Sequence, residues 1–257
     1  MAILASTRVG GGSQPTVLLH GFLGSSRNLR GFAQRWAERA PDRTFLLLDL
    51  TGHGASPPLP AGAHLDTLAR DVAETVAAVG IGAPPSVLGH SLGGRVGLAW
   101  ARLRPEALAD LALLDIGPAP IPKARSSSAR VLDVLLAMPP EAPDRRSFRK
   151  LLVDGGLAPA TADWVLMNVD CDGGGCRWRI DRQALAALNE RVGRDDLWPV
   201  IERADFPIRC IRAARSSYVD DAEAARLEAA GVPVDTVDAG HDLHIEAFEA
   251  VLDLLGQ

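Results

Sequence analysis

Short apolar runs recur along the chain, and each is bounded by turn residues, a pattern typical of strands separated by loops. Several of these runs lack polar alternation, which indicates strands buried on both faces of a sheet. The runs are TVLLH, TFLLLDL, SVLG, LALLDI, IRCIRA and VDTVD, at positions 16–20, 44–50, 86–89, 111–116, 208–213 and 234–238.

Helical periodicity fills the segments between these runs. Leu65, Leu68, Val72 and Val76 follow the i, i+3, i+4, i+7 rule and form one apolar stripe. Strands that alternate with helices predict crossover units, a mostly parallel sheet and helices on both of its faces. Weaker helical patterns occur at 28–40, 92–103, 222–230 and 245–255.

The alternation stops between Gly117 and Asp205, where the pattern is helical and interrupted by prolines. A long insertion in a regular α/β chain is usually functional, and ligands of open parallel sheets bind beyond the carboxyl ends of the strands. We therefore expect a core made of residues 1–117 and 206–257, and a mostly helical cap, residues 118–205, over the strand ends. The alternative is a packing subdomain that does not contact the substrate.

Composition limits the class of protein. The 257 residues are 47% hydrophobic and 23% charged, which suits a globular chain with a sizeable core. With 27 Lys and Arg against 32 Asp and Glu, a nucleic-acid partner is not expected. No apolar run approaches the roughly 20 residues that span a bilayer, and the first residues lack a signal-peptide pattern. We expect a cytoplasmic protein without a membrane span that acts on a small molecule; the sequence does not indicate its oligomeric state.

The three cysteines, Cys171, Cys176 and Cys210, are an odd and sparse set. Such a set favours a reducing compartment without a disulfide framework, although Cys171 and Cys176 flank a glycine-rich turn where pairing is feasible. The chain contains no CxxC or HExxH pattern. We therefore predict no metal site and no organic cofactor.

The segment GHSLGG contains the candidate nucleophile, Ser91. It follows the SVLG run and precedes a helical pattern, and a Gly-x-Ser-x-Gly at a strand-to-helix turn is typical of a nucleophilic serine. Gly89 and Gly93 let strand and helix approach closely, and the helix N-terminus favours the oxygen that becomes negative. The alternative is a glycine-rich turn whose serine is incidental.

The segment HGFLGS, after the first long apolar run, is the candidate oxyanion loop. A tetrahedral oxyanion needs two N–H donors, which in this geometry are the amide after the nucleophile, Leu92, and one from the earlier loop, here Phe22. His20 is expected to brace the loop by hydrogen bonds. The segment DLTGHGAS is expected to be scaffold, with His53 as a weaker rival base because it precedes the serine in the chain.

The segment AGHDLH follows the last strand and supplies two candidate bases, His241 and His244. The chain order of serine, acid and histidine puts the base here. His241 is favoured because it lies nearer the strand end and follows Gly240, which allows a sharp turn.

Together, HGFLGS, DLTGHGAS, GHSLGG and AGHDLH match the landmarks of the α/β-hydrolase superfamily in their order and spacing. The chain resembles that superfamily from end to end. The resemblance implies an α/β-hydrolase fold with a mostly parallel sheet, flanking helices and an inserted helical cap. It indicates the fold more specifically than the reaction, because this superfamily hosts many chemistries.

The acid departs from the usual pattern of the superfamily, in which an RGxRSDxV-like loop after the penultimate strand carries it. Here Ser217 stands where the aspartate is expected. The DIxP segment at Asp115 and the SxYV loop resemble a branch of small bacterial acyl esterases whose acid follows strand six, which implies Asp115. Asp220 and Asp221 remain alternatives that fit helix capping equally well.

These residues predict a serine hydrolase that cleaves a carboxylic ester or thioester of a small acyl substrate through an acyl-serine. Ser91 would attack, His241 would move the proton and Asp115 would orient His241. Candidate substrate contacts are Arg95, Trp164 and Trp178.

Two other functions compete with ester hydrolysis. The stretch SLGGRV, which contains Arg95, resembles the α/β-fold synthase of menaquinone biosynthesis, a lyase that binds substrate carboxylates with an arginine there. That family keeps its aspartate in the loop after the penultimate strand, which this chain does not. The second rival is a catalytically silent, ligand-binding hydrolase fold, disfavoured because serine, histidine and a plausible acid are all present.

Overall fold

The computed structural model describes residues 1–256, in which strands and helices alternate along most of the chain. The strands are β1 (Ser6–Gly10), β2 (Gln14–Leu19), β3 (Arg43–Leu48), β4 (Ser86–His90), β5 (Asp110–Leu114), β6 (Glu141–Ala142), β7 (Val169–Asp172), β8 (Gly175–Trp178), β9 (Ile208–Ala213) and β10 (Val234–Val237). The helices are α1 (Ser26–Arg39), α2 (Leu65–Val79), α3 (Leu92–Leu103), α4 (Ser127–Ala137), α5 (Arg145–Asp154), α6 (Pro159–Val165), α7 (Arg182–Arg194), α8 (Trp198–Ile201), α9 (Asp221–Ala229), α10 (Leu243–Glu246) and α11 (Phe248–Leu255). Short 3₁₀ turns lie at Pro105–Ala107, Lys123–Arg125 and Leu166–Asn168.

The main sheet has seven strands in the order β1-β3-β2-β4-β5-β9-β10. Only β1 is antiparallel, and it pairs with β3 at one edge. The last four residues of β2, β3, β4 and β5 are all buried, because helices cover both faces of the sheet. The predicted, mostly parallel sheet with flanking helices is confirmed.

The predicted helical stripe of α2 faces the sheet, and all four of its residues, Leu65, Leu68, Val72 and Val76, are buried. The helix ends at Gly80, which adopts a left-handed conformation (φ 74°) that glycine accepts without a steric penalty. Among the described residues, no helix is long and apolar enough to cross a membrane.

The apolar core forms two layers, one on each face of the sheet. One layer includes Phe32 and Trp36 of α1 together with Val251 and Leu252 of α11. The other includes α2 and α3 and continues into the segment between β5 and β9. The carboxyl ends of the strands, which carry the loops after β4, β5 and β10, are therefore supported by an apolar layer on each face of the sheet.

The segment between β5 and β9, residues 115–207, is called the β5–β9 insertion below. It contains helices α4 to α8, as the pattern predicts, and also a small antiparallel sheet in the order β6-β8-β7. The sequence did not predict this sheet, because its strands have at most four residues.

The expectation of unpaired cysteines is wrong for Cys171 and Cys176, which form a disulfide. The two residues lie directly opposite each other on β7 and β8, with 4.1 Å between their Cα atoms. Opposed positions of an antiparallel pair bring side chains close together, so the hairpin itself makes the bond feasible. Cys210 is free and buried in β9.

Candidate active site

Ser91 lies at the sharp turn between β4 and α3. Its backbone has φ 52° and ψ −116°, which is strained for a residue with a side chain. A Cβ on Gly89 would lie 2.4 Å from the carbonyl carbon of Gly93, and a Cβ on Gly93 would lie 2.2 Å from the oxygen of Leu19. Only glycine fits at both positions, so the GHSLGG segment forms the tight strand-to-helix turn that its spacing predicts.

Asp115 occupies the equivalent position on the neighbouring strand. His90 pairs with Leu114 in the register of β4 and β5, and the Ser91 amide donates to the Leu114 oxygen over 3.1 Å. Asp115 also has a positive φ (48°), and its side chain is fully buried. The register of two parallel strands therefore brings Ser91 and Asp115 together at the carboxyl ends of these strands.

The Asp115 carboxylate is held at both oxygens. Its Oδ2 accepts from Nδ1 of His241 over 2.7 Å, and its Oδ1 accepts from the amide of Ala213 over 2.9 Å. Since a carboxylate only accepts, Nδ1 of His241 is the donor in this bond, and Nε2 is the nitrogen that faces away from Asp115. The His241 side chain is 23% exposed, so this nitrogen can serve a substrate.

The alternative acids make other contacts. The Asp220 carboxylate accepts from the amide of Glu223 and caps the N-terminus of α9. The Asp221 side chain is 95% exposed and pairs with Arg212. Both aspartates therefore perform the capping and surface roles that the sequence left open for them.

Phe22 and Leu92 line one cavity together with Ser91. Within residues 1–256, neither of their amides donates a hydrogen bond to another backbone group outside regular elements. Leu92 is the first residue of α3, so its N–H has no partner within the helix either. Both amides are therefore free to donate to an oxygen bound beside Ser91.

Two histidines brace the surrounding loops. His20 donates from Nδ1 to the Gly21 oxygen over 2.7 Å and accepts the Leu50 amide at Nε2 over 2.9 Å. His53 is fully buried and packs edge-on against His20, with ring centroids 5.3 Å apart. Burial, followed by the proximity of His20, lowers the pKa of His53 to about 3. Both histidines hold the HGFLGS and DLTGHGAS loops together.

Two further histidines contact the loop of His241. His90 donates from Nε2 to the His241 carbonyl over 2.9 Å. His244 packs against His90 with 4.4 Å between ring centroids. Burial is the main cause that lowers the pKa of His244 to about 4 and the pKa of His90 well below its usual value. The sequence did not predict the contact between His90 and the loop of His241, because the two residues lie far apart in the chain and no local pattern connects them.

Tyr218, the only tyrosine of the chain, was also missed. Its ring stacks on the imidazole of His241, with 4.1 Å between centroids and 22° between planes. Its hydroxyl accepts the amide of Ser127 over 3.1 Å and lies 2.9 Å from the Ser127 Oγ, at the start of α4. The only signal in the sequence was its place in the SxYV loop.

Ser91, Phe22 and Tyr218 line two cavities that meet beside the serine. The first cavity has a volume of about 690 Å³ and runs between α4 and α7. The second has a volume of about 770 Å³ and contains His241 and Trp164. Another cavity of similar size, about 780 Å³, lies at the amino ends of the strands, among the first residues of β4, β5 and β9. Ser91 is not among its lining residues. Apolar side chains of the first cavity include Ile116, Ile121, Leu132, Leu136 and Val192.

Arg95 lies on the wall of the first cavity, but its terminal nitrogens bind the protein. Nη1 donates to the carbonyls of Gly117 and Ala119, and Nη2 donates to those of Val192 and Asp195. Burial lowers the pKa of the guanidinium to about 10, which leaves it charged at neutral pH. Arg95 therefore ties both ends of the β5–β9 insertion to α3.

The two candidate tryptophans lie in different surroundings. Trp164 lines the second cavity. Trp178 packs against Phe148, with 4.8 Å between ring centroids, and donates from Nε1 to the oxygen of Pro139. It is half-buried on the β5–β9 insertion and is not among the residues that line the two cavities at Ser91.

Comparison with known proteins relates this chain to hydrolases. A family model described as the alpha/beta hydrolase fold matches residues 14–147. The chain is similar to an sn-1-specific diacylglycerol lipase of Danio rerio, with 26% identity over 92% of this chain and 75% of the relative. It is also similar to Lipase LipV of Mycobacterium tuberculosis, with 30% identity over 76% of this chain and 74% of the relative. A solved structure titled marine microorganism esterase superposes with a TM-score of 0.86 at 20% identity, covering 99% of this chain and 98% of that chain.

Proposed function

The chain belongs to the alpha/beta hydrolase fold family, and from that premise we propose that it is a serine hydrolase of small acyl esters or thioesters. It is an ester-bond hydrolase, as its lipase and esterase relatives indicate. The main support for the serine mechanism is the Asp115–His241 hydrogen bond at the cavity that contains Ser91. We assign Ser91 as nucleophile, His241 as base and Asp115 as the acid that orients it.

In the first half of the proposed reaction, Oγ of Ser91 attacks the carbonyl carbon while Nε2 of His241 takes the hydroxyl proton. The buried Asp115 carboxylate fixes the tautomer of His241 and stabilises the imidazolium that forms. The imidazolium then gives its proton to the leaving alcohol or thiol, and the acyl group remains on Ser91. Water repeats the sequence on the acyl-serine and releases the acid.

We assign the amides of Phe22 and Leu92 as the oxyanion donors. A negative oxygen beside Ser91 would meet these two N–H groups and the N-terminus of α3. Removal of one such donor has cost about 2.7–4 kcal/mol of transition-state stabilisation in other enzymes.

The two cavities suggest how a substrate is oriented. His241 must protonate the leaving group, and it lies in the second cavity, so the leaving group belongs on that side. The acyl chain then enters the first cavity, beside the oxyanion donors and the apolar side chains of Leu132 and Leu136. Trp164 would contact the leaving group.

We propose that residues 118–205 act as a cap over the strand ends. Helix α4 contributes residues to both cavities, and α7 contributes to the first. The length and apolar lining of the cavities therefore depend mainly on this segment, and we expect it to set the range of substrates.

The lyase alternative needs a cationic group that is free to bind a substrate carboxylate. Arg95 was the candidate, but its two terminal nitrogens donate to four main-chain carbonyls. Its remaining Nε is buried and has no hydrogen-bond partner within residues 1–256. This arrangement supports a structural role for Arg95 and favours ester hydrolysis.

A fluorophosphonate probe tests the nucleophile, because it labels activated serines covalently. We expect one label per wild-type chain and none on Ser91→Ala. Ser128→Ala is a matched control, since Ser128 lines the same two cavities. Full labelling of Ser91→Ala would refute the assignment. Turnover of p-nitrophenyl esters of increasing acyl length, and of acyl-CoA thioesters, then defines the substrate class.

A further inference from the structure

A cluster formed by His90, Asp242 and His244 lines the second cavity beside His241. Each residue offers one ligand atom, and these atoms lie within 4.8 Å of one another. His90 and His244 are buried, whereas the Asp242 side chain is 61% exposed. An ion that enters the cavity can therefore reach three donors of two chemical types.

The proposed mechanism does not use the side chain of His244. Its Nδ1 is buried and makes no hydrogen bond within residues 1–256. Burial of a polar nitrogen without a hydrogen-bond partner costs free energy of folding. An ion bound to this nitrogen would remove that cost. The neighbouring Nε2 of His90 lies 3.9 Å from Oδ1 of Asp242, so two of the donors already face each other.

We propose that His90, Asp242 and His244 bind a divalent transition-metal ion of the Zn²⁺ type, and that the bound ion inhibits ester hydrolysis. Two imidazoles and one carboxylate suit Zn²⁺ and its neighbours, whereas Mg²⁺ and Ca²⁺ prefer oxygen ligands alone. No spacing motif announces this site, because one ligand ends β4 and the other two follow β10. The sequence-based expectation of no metal rested on the absence of such motifs, and a bound ion at this cluster would contradict it.

The cluster must contract to hold an ion. Ligands at about 2.0–2.2 Å from a tetrahedral zinc lie roughly 3.4 Å from one another. Since the ligand atoms already lie within 4.8 Å of one another, no pair has to close by more than about 1.4 Å. A water molecule from the cavity would complete the coordination, since three protein ligands leave one position open.

Two effects on His241 give the inhibition, which rests on the proposed function. First, Nε2 of His90 would leave the His241 carbonyl, to which it now donates over 2.9 Å. Second, the ion would bring a double positive charge next to the His241 ring, whose centroid lies 4.7 Å from that of His90. A nearby cation disfavours the imidazolium that acyl transfer requires. Inhibition should therefore lower kcat more than it raises KM.

Calorimetric titration of the whole chain with Zn²⁺ tests binding independently of catalysis. We expect one ion per wild-type chain, and at least about tenfold weaker binding to Asp242→Asn and to His244→Gln. Asp238→Asn is a matched control, because this exposed aspartate directly follows β10 but lies outside the cluster, and the variant should bind as the wild type does. Visible absorption of bound Co²⁺ reports the ligand set, and at a Co²⁺ concentration that just saturates the wild type its band should be weaker in both cluster variants.

Inhibition is measured with a p-nitrophenyl ester, and each variant is compared with its own rate in the presence of a chelator. Asp242→Asn should need at least about tenfold more Zn²⁺ than the wild type for half-inhibition. Equal Zn²⁺ affinity in wild type and both cluster variants would overturn the site. Binding at the cluster without inhibition of an active enzyme would overturn the inhibitory role. Absence of turnover in chelator would instead count against the proposed function, while the calorimetry would still decide the metal site.

Discussion

The ring of Tyr218 lies flat on the imidazole of His241, with 4.1 Å between centroids and 22° between planes. The same tyrosine bonds through its hydroxyl to Ser127, the first residue of α4. Arg125 holds the tyrosine from the other side, by donating to the carbonyls of Ser217 and Tyr218. One side chain thus connects the β5–β9 insertion to the proposed base.

This stacking predicts a role for Tyr218 in positioning His241. An aromatic pair contributes about 0.5–1.5 kcal/mol, so Tyr218→Leu should lower kcat about two- to tenfold. Tyr218→Phe keeps the ring and should retain most of kcat, while losing the bonds to Ser127. Steady-state kinetics on a p-nitrophenyl ester measure both values, with thermal unfolding as the check on folding. Equal kcat in the leucine and phenylalanine variants would contradict a positioning role for the ring.

The hydrogen bond between Asp115 and His241 predicts that Asp115→Asn is nearly inactive. An amide at this position cannot stabilise the imidazolium, and loss of the acid has cost about 10⁴ in kcat in a related triad. Asp220→Asn is the matched control, because asparagine still caps α9 and loses only a partly exposed ion pair with Arg125, so kcat should change little. If Asp220→Asn were the inactive variant, the acid would have been assigned to the wrong residue.

Close packing at the Ser91 turn predicts that Gly93→Ala is strongly destabilising. The new Cβ would lie 2.2 Å from the Leu19 oxygen, and backbone of a central strand cannot move away cheaply. We expect a loss of ~3 kcal/mol in the free energy of unfolding, which outweighs the gain of ~1 kcal/mol in helix propensity. Gly82→Ala, whose Cβ would meet nothing within 4 Å, should be neutral or slightly stabilising. Urea unfolding of the wild type and both variants measures these changes in the free energy of unfolding, and a neutral Gly93→Ala would contradict the close packing.

The buried His53 predicts a loss of stability in mild acid. Burial lowers its pKa in the folded state to about 3 from an ordinary value of 6.5, so between these values the unfolded chain binds the extra proton. The free energy of unfolding therefore falls as the pH decreases from 7 to 5, by about 2 kcal/mol for this group alone.

His53→Gln tests this contribution, since glutamine does not titrate. The variant should lose about 2 kcal/mol less than the wild type between pH 7 and pH 5, whatever its stability at pH 7. His64→Gln, at an exposed histidine, serves as control and should lose as much as the wild type. An equal loss in His53→Gln and wild type would show that His53 is not the group responsible.

The sequence predicted the sheet well because its signals are local. A run such as TVLLH is apolar at every position, and only a strand covered on both faces buries such a run. The turn at Ser91 was equally readable, since Gly89 and Gly93 stand where no Cβ fits. Fold features that depend on one short segment are therefore visible without coordinates.

Features that depend on pairs of distant segments were not readable in this way. Nothing near Tyr218 in the chain indicates that it stacks on His241, and nothing near Arg95 indicates which carbonyls its guanidinium binds. The disulfide between Cys171 and Cys176 was misjudged, because compartment statistics were weighed above the hairpin that brings the two residues together. The candidate acid, Asp115, was preferred through resemblance, since residue spacing alone left Asp220 and Asp221 open.

The attachment of the Asp115 carboxylate to the Ala213 amide has a consequence for tolerance to sequence change. The charge is anchored to the rigid framework of two adjacent strands, so the loop after β9 does not have to supply the carboxylate that pairs with His241. Exposed positions of that loop can therefore change without removing this charge, provided that Tyr218 keeps its place on the His241 ring. Sequence drift at these exposed positions thus leaves the contact between Asp115 and His241 in place.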